Sequence, residues 1–376
     1  FFQADDGIRD PLWSRGLGDV YKRQVGTPLR DKEKTPNFDY LLRSIDSILD
    51  SIDESSTIIL RSTVSVGTTQ SIQKYIQKKT GLRNVSIGFC PERTLEGSAL
   101  EELSSLPQII SGNSQETINK IKRFFKPLAK DIVATESLEE AELAKLFNNT
   151  FRDSLFSIAN TFSMIGQEFG IDGQHVINIA NYKYPRSFIP KPGLVAGPCL
   201  EKDAYILANT MKESKLKEYV LSPRKSNELL EQKVAAVISK IIKSSPNDNI
   251  LISGIAFKGK PETNDTRGSS ALKILNNLGR YKNNIIVHDF MNQTSELKHI
   301  TGFKAVKSDF YLNKRSRKFH TIFILNNHPK YKSKAFISYI KNLIAEGVTV
   351  VDVWDELGIK SDNVISIGKL LIKNVL

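Results

Sequence analysis

The chain has 376 residues, of which 40% are hydrophobic, so it can bury packed cores and wholesale disorder is excluded. This length predicts roughly two or three domains. Two cysteines, Cys90 and Cys199, are too few for a disulfide scaffold or a four-thiolate zinc site, and no apolar run approaches the roughly 18 residues of a membrane span. The net charge of +12, which includes the basic run 314–318, is interpreted as solvated surface, because aromatic residues do not alternate with the charges as in a nucleic-acid site.

The first 24 residues show no sustained helical or strand period and run directly into Val25-Gly26-Thr27-Pro28, a pattern typical of a strand end. They resemble translated sequencing-adapter text, so we expect residues 1–24 to be a non-native segment outside the fold. The alternative is a genuine, irregular N-terminal arm. The few cysteines and the lack of a signal-peptide pattern near residue 1 favour a cytoplasmic location.

Short apolar segments alternate with helical spacings between residues 38 and 125. Helices are predicted over 38–49, 69–78 and 115–125, and strands over 57–60, 85–89 and 107–111. An alternation of this kind predicts a parallel sheet that is covered by helices.

From Leu138, apolar residues recur at steps of three and four as far as the turn signal Gly170, which predicts one long helix. A second helix is predicted over 173–181, then a Pro- and Gly-rich loop over 185–198 and a helix that begins near Lys202. A long apolar helix of this kind is typical of a subunit interface, so we expect a homodimer or a larger homo-oligomer.

After a polar stretch over 213–226, the alternation returns. Helices are predicted over 229–243, 269–278 and 336–345, and strands over 249–255, 284–288, 321–325 and 349–353. The predicted fold class is therefore α/β, with two doubly wound Rossmann-like domains joined by a central long-helix segment. We place a first domain at 25–136, a central helical domain at 137–215 and a C-terminal domain at 216–376.

The segment Gly193–Asp203 carries a lone cysteine between a Gly/Pro loop and a predicted helix. Cys199 would lie at the helix N-terminus beside Lys202, and both features favour the thiolate. Asp203 follows one helical turn later, where a carboxylate could handle a proton or a water molecule. A buried structural cysteine is the alternative for a lone Cys, but the surrounding Gly-Pro-Cys-x-x-Lys-Asp pattern favours a reactive one.

Glu142, Lys145, Asn149 and Arg152 are spaced by three and four residues and therefore share one face of the long helix. A lysine and an asparagine one turn apart can hold an oxyanion together. The alternative is an ordinary solvated polar stripe.

Three further segments follow predicted strands, at the edge where open α/β sheets bind ligands. They are Arg61–Thr69, Pro91–Gly97 and Gly254–Gly259, the last of which is followed by Asp265-Thr266-Arg267. Hydroxyls of the first segment could meet phosphate or water, or could only cap a helix, and cations of the last could hold a diphosphate. No G-x-G-x-x-G fingerprint occurs, and no paired histidines indicate a metal site.

In this order and at these spacings, the five segments resemble those of the UDP-glucose/GDP-mannose dehydrogenase family, the nucleotide-sugar 6-dehydrogenases. The resemblance runs from about Val25 to the C-terminus. It implies an N-terminal NAD-binding domain, a central helical dimerisation segment and a C-terminal domain that binds a UDP-sugar. It also implies that the strand–glycine loop–helix at the start of the family's first domain is missing, so we expect an incomplete NAD domain and an inactive, N-terminally truncated chain.

The family's chemistry is a double oxidation of the sugar C6 alcohol to a carboxylate with two NAD. The resemblance implies that Cys199 is the nucleophile, that Lys145 and Asn149 stabilise the oxygen, and that Asp203, Thr63 and Glu92 serve the hydrolysis step. The same resemblance implies cofactor contacts from Thr27, Ser62, Thr63, Glu96, Lys202 and Arg267, and substrate contacts from Glu92, Lys145, Asn149, Arg186, Gly197 and Lys258. Arg186 resembles an arginine that reaches the substrate of a neighbouring subunit.

The sequence Ala-Gly-Pro-Cys-Leu at 196–200 looks more like the UDP-N-acetylhexosamine branch, whose product would feed a surface polysaccharide. Glu201 stands where the family commonly has proline, and the segment Asp352–Trp354 stands where UDP-glucose enzymes often present arginine. Two alternatives stay open. One is a non-catalytic, nucleotide-sugar-binding dimer module. The other is an S- or acyl-transfer enzyme without a redox cofactor, which would need a histidine beside Cys199.

Overall fold

The structure of the protein is a computed structural model that describes residues 25–30, 34–95, 98–186, 188–312 and 319–371. Three expectations fall outside these residues: the foreign origin of residues 1–24, the cofactor contact of Glu96, and the solvated basic run 314–318. They stay predictions.

Helices and short strands alternate along the described chain. In chain order they are β1 (Leu29–Arg30), β2 (Thr35–Pro36), α1 (Asp39–Asp46), β3 (Thr57–Leu60), α2 (Thr68–Thr80), β4 (Ser86–Phe89), α3 (Ala99–Ser105), β5 (Gln108–Ile110), α4 (Gln115–Phe125), β6 (Ile132–Ala134), α5 (Leu138–Glu168), α6 (Gly173–Asn181), α7 (Leu200–Thr210), α8 (Ser214–Ser244), β7 (Ile250–Ser253), α9 (Ser270–Asn277), β8 (Ile285–His288), α10 (Thr294–Thr301), β9 (Lys304–Ala305), β10 (Thr321–Ile324), α11 (Lys334–Ala345), β11 (Thr349–Asp352), β12 (Val364–Ser366) and α12 (Ile367–Leu370). The α/β alternation and the long central helix are confirmed.

The chain forms two compact units, and each is described by itself. The first unit holds the described residues up to Thr150 together with Lys202–Val220, and the second holds Phe151–Glu201 and Leu221–Leu376. The boundaries fall inside α5, α7 and α8. The three-domain division at residues 136 and 215 stays a prediction.

Parallel strand pairs form the sheet of the first unit. β3 pairs with β4, and β5 pairs with β6. The backbone N–H groups of Ser111 and Asn113 donate to the carbonyls of Phe89 and Ile87, at 3.0 Å each, and join the two pairs. Gly88 is required at this junction, because a Cβ there would collide with Ile121 of α4 and with the Ser111 carbonyl.

The second unit contains a six-stranded, all-parallel sheet in the order β12-β11-β10-β7-β8-β9. The chain starts in the middle at β7, proceeds to one edge through β8 and β9, and then returns to β10 beside β7 to proceed to the other edge. This reversal is a topological switch point, and open α/β sheets bind ligands beyond the carboxyl ends of the strands at such a point.

Alternating side chains of these strands enter two apolar layers. Ile250 and Ile252 pack in one layer, and Leu251 between them packs in the other. The first layer also contains residues of α8, α9 and α12, and the second contains residues of α11. Strands buried on both faces explain why the predicted strands read as continuous apolar runs.

Helix α5 has its polarity reversed relative to a typical surface helix. Its buried side chains include Glu142, Lys145, Asn149, Asp153, Ser157 and Asn160, whereas Phe147, Phe151, Ile158, Phe162 and Ile165 are exposed. The expected stripe therefore needs one correction: Arg152 is exposed, and Asp153 continues the buried face. No helix in the described ranges is long and apolar enough to cross a membrane.

The helix predicted over 229–243 is present but begins earlier: α8 starts at Ser214 and takes in most of the polar stretch over 213–226, although Pro223 lies inside the helix. This first half is anchored by Arg224, which is fully buried and forms a 3.0 Å ion pair with Asp153 of α5. Asn227 donates to the same carboxylate at 2.8 Å. The earlier start could not be predicted, because a stretch with a proline and many charges shows no apolar helical period.

Buried Asp352, at the end of β11, makes the stability of the second unit pH-dependent. Burial raises the pKa of Asp352 from 3.8 to about 6, although the Leu357 N–H donates to its Oδ2 at 2.7 Å. Because the raised pKa favours the neutral acid in the folded state, this contribution is complete below about pH 4 and is lost as pH rises through 6.

Asp352→Asn should therefore raise the free energy of unfolding at pH 7.5 by up to about 3 kcal/mol, since the amide carries no charge to bury and still accepts from Leu357. Thermal unfolding of both proteins between pH 4 and pH 7.5 measures the effect, with the exposed Asp362→Asn as the matched control. A gain of equal size at pH 4 would contradict the assigned cause.

Candidate active site

Four expected site residues form a connected polar cluster in the first unit, which we call the Asp203 cluster: Thr27, Asn149, Lys202 and Asp203. Asn149 Nδ2 donates to Asp203 Oδ2 at 2.5 Å, and the ammonium of Lys202 lies 3.3 Å from Asp203 Oδ1. Lys202 also donates to Thr27 Oγ1 at 2.9 Å. Asp203 is fully buried, so its charge is held by a cation and an amide rather than by water.

Lys145 lies on the same buried face of α5, one turn before Asn149. Glu142, one turn earlier, has a structural task. Its carboxylate accepts from the N–H groups of Gly67 and Thr69, at 2.6 and 2.9 Å, and from Thr69 Oγ1 at 2.6 Å. The N-terminus of α2 is thereby satisfied by a carboxylate of this chain.

Thr63 and Ser62 lie shortly after β3, at the carboxyl edge of the first unit's sheet. The Thr63 carbonyl accepts from Thr27 Oγ1 at 2.7 Å, which connects this edge to the Asp203 cluster. Ser62 Oγ donates to the Val25 carbonyl at 2.7 Å and so fixes the segment that carries Thr27.

Glu92 follows β4 and is paired with Arg61 at 2.9 Å. Burial alone would raise the pKa of Glu92, but Arg61 and the donors of Thr94 outweigh it and hold that pKa below its ordinary value. Glu92 is therefore a carboxylate at neutral pH. It is available as a hydrogen-bond acceptor or a base, but its bound partners are Arg61 and Thr94 rather than the Asp203 cluster.

Cys199 lies in the second unit, is exposed, and immediately precedes α7. The loop before it is anchored at several points. Asn160 of α5 both accepts from the Gly193 N–H at 2.8 Å and donates to its carbonyl at 2.9 Å. The Gly197 N–H donates to the Gly268 carbonyl at 3.0 Å, and a Cβ on Gly197, whose φ is +108°, would lie 2.6 Å from the Phe257 ring.

The carboxyl ends of β7 and β10 form the switch point of the second sheet. Gly254 ends β7 with φ +92°, and a Cβ there would lie 2.7 Å from the Asn326 side chain, so the two loops approach closely. Asn327 Oδ1 accepts from the Gly259 N–H at 3.0 Å. Lys258, in the same loop, places its ammonium 5.2 Å from the centre of the Phe257 ring.

Two expected arginines lie on the surface of the second unit. Arg267, more than half exposed, forms a 2.6 Å ion pair with Asp265 of its own Asp-x-Arg motif. Arg186 donates from Nε to the Tyr184 hydroxyl at 3.0 Å and stacks over that ring. Their expected contacts with cofactor and with a neighbouring subunit stay predictions. Among the described residues, no group of three or more His, Cys, Asp or Glu could hold a metal ion.

One interaction near Cys199 was not expected. Glu201 forms an ion pair with Lys273 of α9, and Lys273 also lies 3.3 Å from Glu231 of α8. The signal in the sequence was the glutamate at a position where the family commonly has proline. A pairing with a lysine about 70 positions away could not be deduced from it.

Comparison with known proteins agrees with this organisation. Three sequence models of one family match the chain: the NAD binding domain at residues 18–129, the central domain at 139–228 and the UDP binding domain at 251–358. A UDP-N-acetyl-D-mannosamine dehydrogenase of Pyrococcus horikoshii is 29% identical over 85% of this chain and 73% of its own length. The enzyme of the same name from Methanocaldococcus jannaschii is 33% identical over 69% of this chain and 59% of its own length, and the one from Methanococcus vannielii is 30% identical over 81% and 67%.

Solved structures show the same fold. A UDP-D-ManNAc dehydrogenase from Pyrococcus horikoshii superposes with a TM-score of 0.76 at 27% identity, covering 93% of this chain and 81% of that one. A UDP-N-acetyl-mannosamine dehydrogenase from Staphylococcus aureus gives 0.76 at 24% identity over 94% and 81%, which supports the fold alone.

The doubly wound parallel sheet with its switch point places the protein in the class of α/β folds that bind nucleotides beyond the carboxyl ends of their strands. The chain belongs to the UDP-glucose/GDP-mannose dehydrogenase family. This family consists of NAD-dependent nucleotide-sugar dehydrogenases, and NAD is the cofactor that its first domain binds.

The two cysteines should differ sharply in reactivity. Cys90 is fully buried beneath α4, and burial raises the pKa of its thiol to about 12, whereas Cys199 is exposed. Iodoacetamide at pH 8 should therefore add one group to the folded chain, at Cys199, and two groups in denaturant, because the thiolate is the reacting species. Mass spectrometry of the digested protein gives the position. Labelling of Cys90 and Cys199 at comparable rates in the folded protein would contradict the burial of Cys90.

Proposed function

We propose that this protein oxidises the C6 alcohol of a UDP-N-acetylhexosamine, with UDP-N-acetylmannosamine favoured, to the corresponding uronate in two NAD-dependent steps. The observation that carries the proposal is the Asp203 cluster. A buried carboxylate in the first turn of α7 is held by an amide and an ammonium, and an exposed cysteine immediately precedes the same helix. A product of this kind would supply a surface polysaccharide.

The residues present fit NAD. Lys202 is fixed between Thr27 and Asp203 and places a cation beside the carboxyl edge of β3, where hydroxyls of Ser62 and Thr63 are also available. A cation among hydroxyls suits the diphosphate and ribose groups of a dinucleotide. NAD, when bound, accepts a hydride from the sugar carbon in each oxidation. We propose Thr27, Ser62, Thr63, Lys202 and Arg267 as its contacts.

Cys199 gives the two oxidations their covalent intermediate. In this proposal its sulfur adds to the C6 aldehyde to form a thiohemiacetal, which the second oxidation converts to a thioester. The oxygen on C6 carries negative charge during addition. Lys145 and Asn149 would donate to that oxygen, since an ammonium and an amide held in place by burial need no reorganisation when charge appears.

Hydrolysis of the thioester needs an activated water molecule. Asp203 is the proposed base for this water, because its carboxylate is fixed by Asn149 and Lys202 before substrate arrives. Thr63 would position the water, and Glu92, which is ionised beside Arg61, would order the sugar and assist the same step.

The nucleotide part of the substrate is assigned to the second unit. Its switch point carries Lys258 in the loop after β7, and this lysine can pair with a phosphate. Gly197 belongs to the loop that would border the sugar. The N-acetylhexosamine preference is supported by the names of the relatives.

In the full-length protein, Cys199→Ser should bind UDP-N-acetylmannosamine but lose formation of the uronate, because a serine hydroxyl gives no thioester. NADH release and the sugar product are measured together, against a panel of UDP- and GDP-sugars. Cys90→Ser is the matched control and should retain turnover. Normal uronate formation by Cys199→Ser would mean that the nucleophile is assigned wrongly.

The non-catalytic alternative is tested by calorimetry with UDP-sugar and NAD separately. Both ligands should bind if the proposed function is correct. Binding of the UDP-sugar without NAD would favour a nucleotide-sugar-binding dimer module. Binding of neither ligand would contradict the assignment of the site.

We also propose that the exposed apolar face of α5 and α6 joins two copies of the chain. Within the second unit, apolar side chains and glycines line a groove of about 350 Å³ on this face; they include Phe162, Ile165, Phe169, Ile171, Val176 and Ile189. Such a patch on a helix pair is typical of an isologous interface. Arg186, in the loop after α6, would then reach the substrate of the second copy.

Ile165→Glu should convert the dimer to a monomer, because it places a charge in the apolar groove. Sedimentation equilibrium measures the mass. Ile300→Glu, a similarly exposed isoleucine on α10, is the control and should leave the dimer intact. A dimer that survives Ile165→Glu would exclude this face as the interface.

A further inference from the structure

Two contacts tie the Cys199 loop to one short segment of the second unit. Before the cysteine, the Gly197 N–H donates to the Gly268 carbonyl at 3.0 Å. After it, the carboxylate of Glu201 forms an ion pair with the ammonium of Lys273. Gly268 and Lys273 flank the start of α9, so Cys199 lies at the exposed middle of a bridge that is fastened two residues away on each side.

The second contact is part of a wider charge network. Lys273 also lies 3.3 Å from Glu231 Oε2, and Ser270 donates to Glu231 Oε1 at 2.5 Å. One ammonium thus serves two carboxylates. Burial raises the pKa of Glu201, and the two carboxylates raise the pKa of Lys273 in spite of its own burial.

Further charges face this network from α5 and α8. They are Asp153, Arg224 and Glu228, with Arg224 paired to Asp153 at 3.0 Å and 3.8 Å from Glu228. Arg224 already has its own carboxylate, so Lys273 is the cation that compensates Glu201 directly.

Glu201 lies in the first turn of α7, so its pairing with Lys273 affects the helix end that follows Cys199. A carboxylate there is favoured by the helix N-terminus, but burial penalises it unless a cation compensates. Loss of Lys273 would leave two uncompensated carboxylates near the reactive sulfur and would release the first turn of α7 from α9. Both effects act on the cysteine two residues before Glu201.

We propose that Glu201 is a positioning residue for Cys199: it is held by Lys273, which Glu231 holds in turn, and it fixes the first turn of α7 and sets the charge beside the thiol. The inference rests on the proposed function only for the role of Cys199 as nucleophile. Residues of α8 and α9 support Cys199 through Glu201, and these contacts are present without substrate.

The test is the rate of Cys199 alkylation by iodoacetamide as a function of pH, followed by mass spectrometry on the full chain. Lys273→Met should move the midpoint of the profile upward by about half a pH unit, which is about threefold less thiolate at fixed pH. Glu201→Gln should move the midpoint downward, because it removes a negative charge and leaves the lysine. Lys273→Arg should restore the wild-type midpoint.

Exposed residues of the same unit supply the controls, Lys341→Met and Glu346→Gln, which should leave the profile unchanged. Thermal unfolding of each variant shows that the second unit, which carries the substitutions, is folded. Unchanged midpoints in both Lys273→Met and Glu201→Gln, or shifts of the same sign, would overturn the proposal, because a purely structural tie predicts no opposed shifts. Uronate formation by Cys199→Ser would instead overturn the proposed function, and it would leave this result standing.

Discussion

The burial of polar side chains along helix α5 is the constraint on which the rest of the molecule depends. A helix that turns Glu142, Asn149, Asp153 and Asn160 inward must give each a partner, because an unpaired buried charge or amide is costly. The partners are, in that order, a helix N-terminus, Asp203, Arg224 and the Gly193 backbone. One helix thus positions a cap, a candidate oxyanion site and the start of the cysteine loop, while its apolar side is left for another surface.

The cysteine loop shows how a flexible segment is held rigid without a core of its own. Its backbone is hydrogen-bonded to Asn160 of α5 and to the carbonyl of Gly268. Just after the loop, the side chain of Glu201 forms an ion pair with Lys273 of α9. Each contact is modest, about 0.5–1.5 kcal/mol for a typical hydrogen bond, but together they leave little freedom around Cys199. Precise placement is what covalent catalysis demands, since a small misplacement of the attacking atom costs a large part of the rate.

Much of the fold could be predicted because its signals are local. The period of α5 and the apolar strands of the second sheet follow from neighbouring residues in the sequence. The start of α8 at Ser214 could not be predicted, since Pro223 and the surrounding charges show no apolar helical period, and the pairing of Arg224 with Asp153 forms only in the folded protein. Likewise, the spacing allows either Arg152 or Asp153 to continue the polar face of α5. In the folded protein Asp153 is buried on that face and Arg152 is exposed.

The sequence by itself determined the α/β class, the long helix and the family, because these depend on periodicity and on short motifs with fixed order. Tertiary structure alone decided which face of α5 is buried, that Asn149 and Lys202 meet at Asp203, and that Glu201 and Glu231 both pair with Lys273. The reason is physical: hydrogen bonds and ion pairs between distant residues depend on how elements pack, and residue spacing along the chain carries no record of that distance.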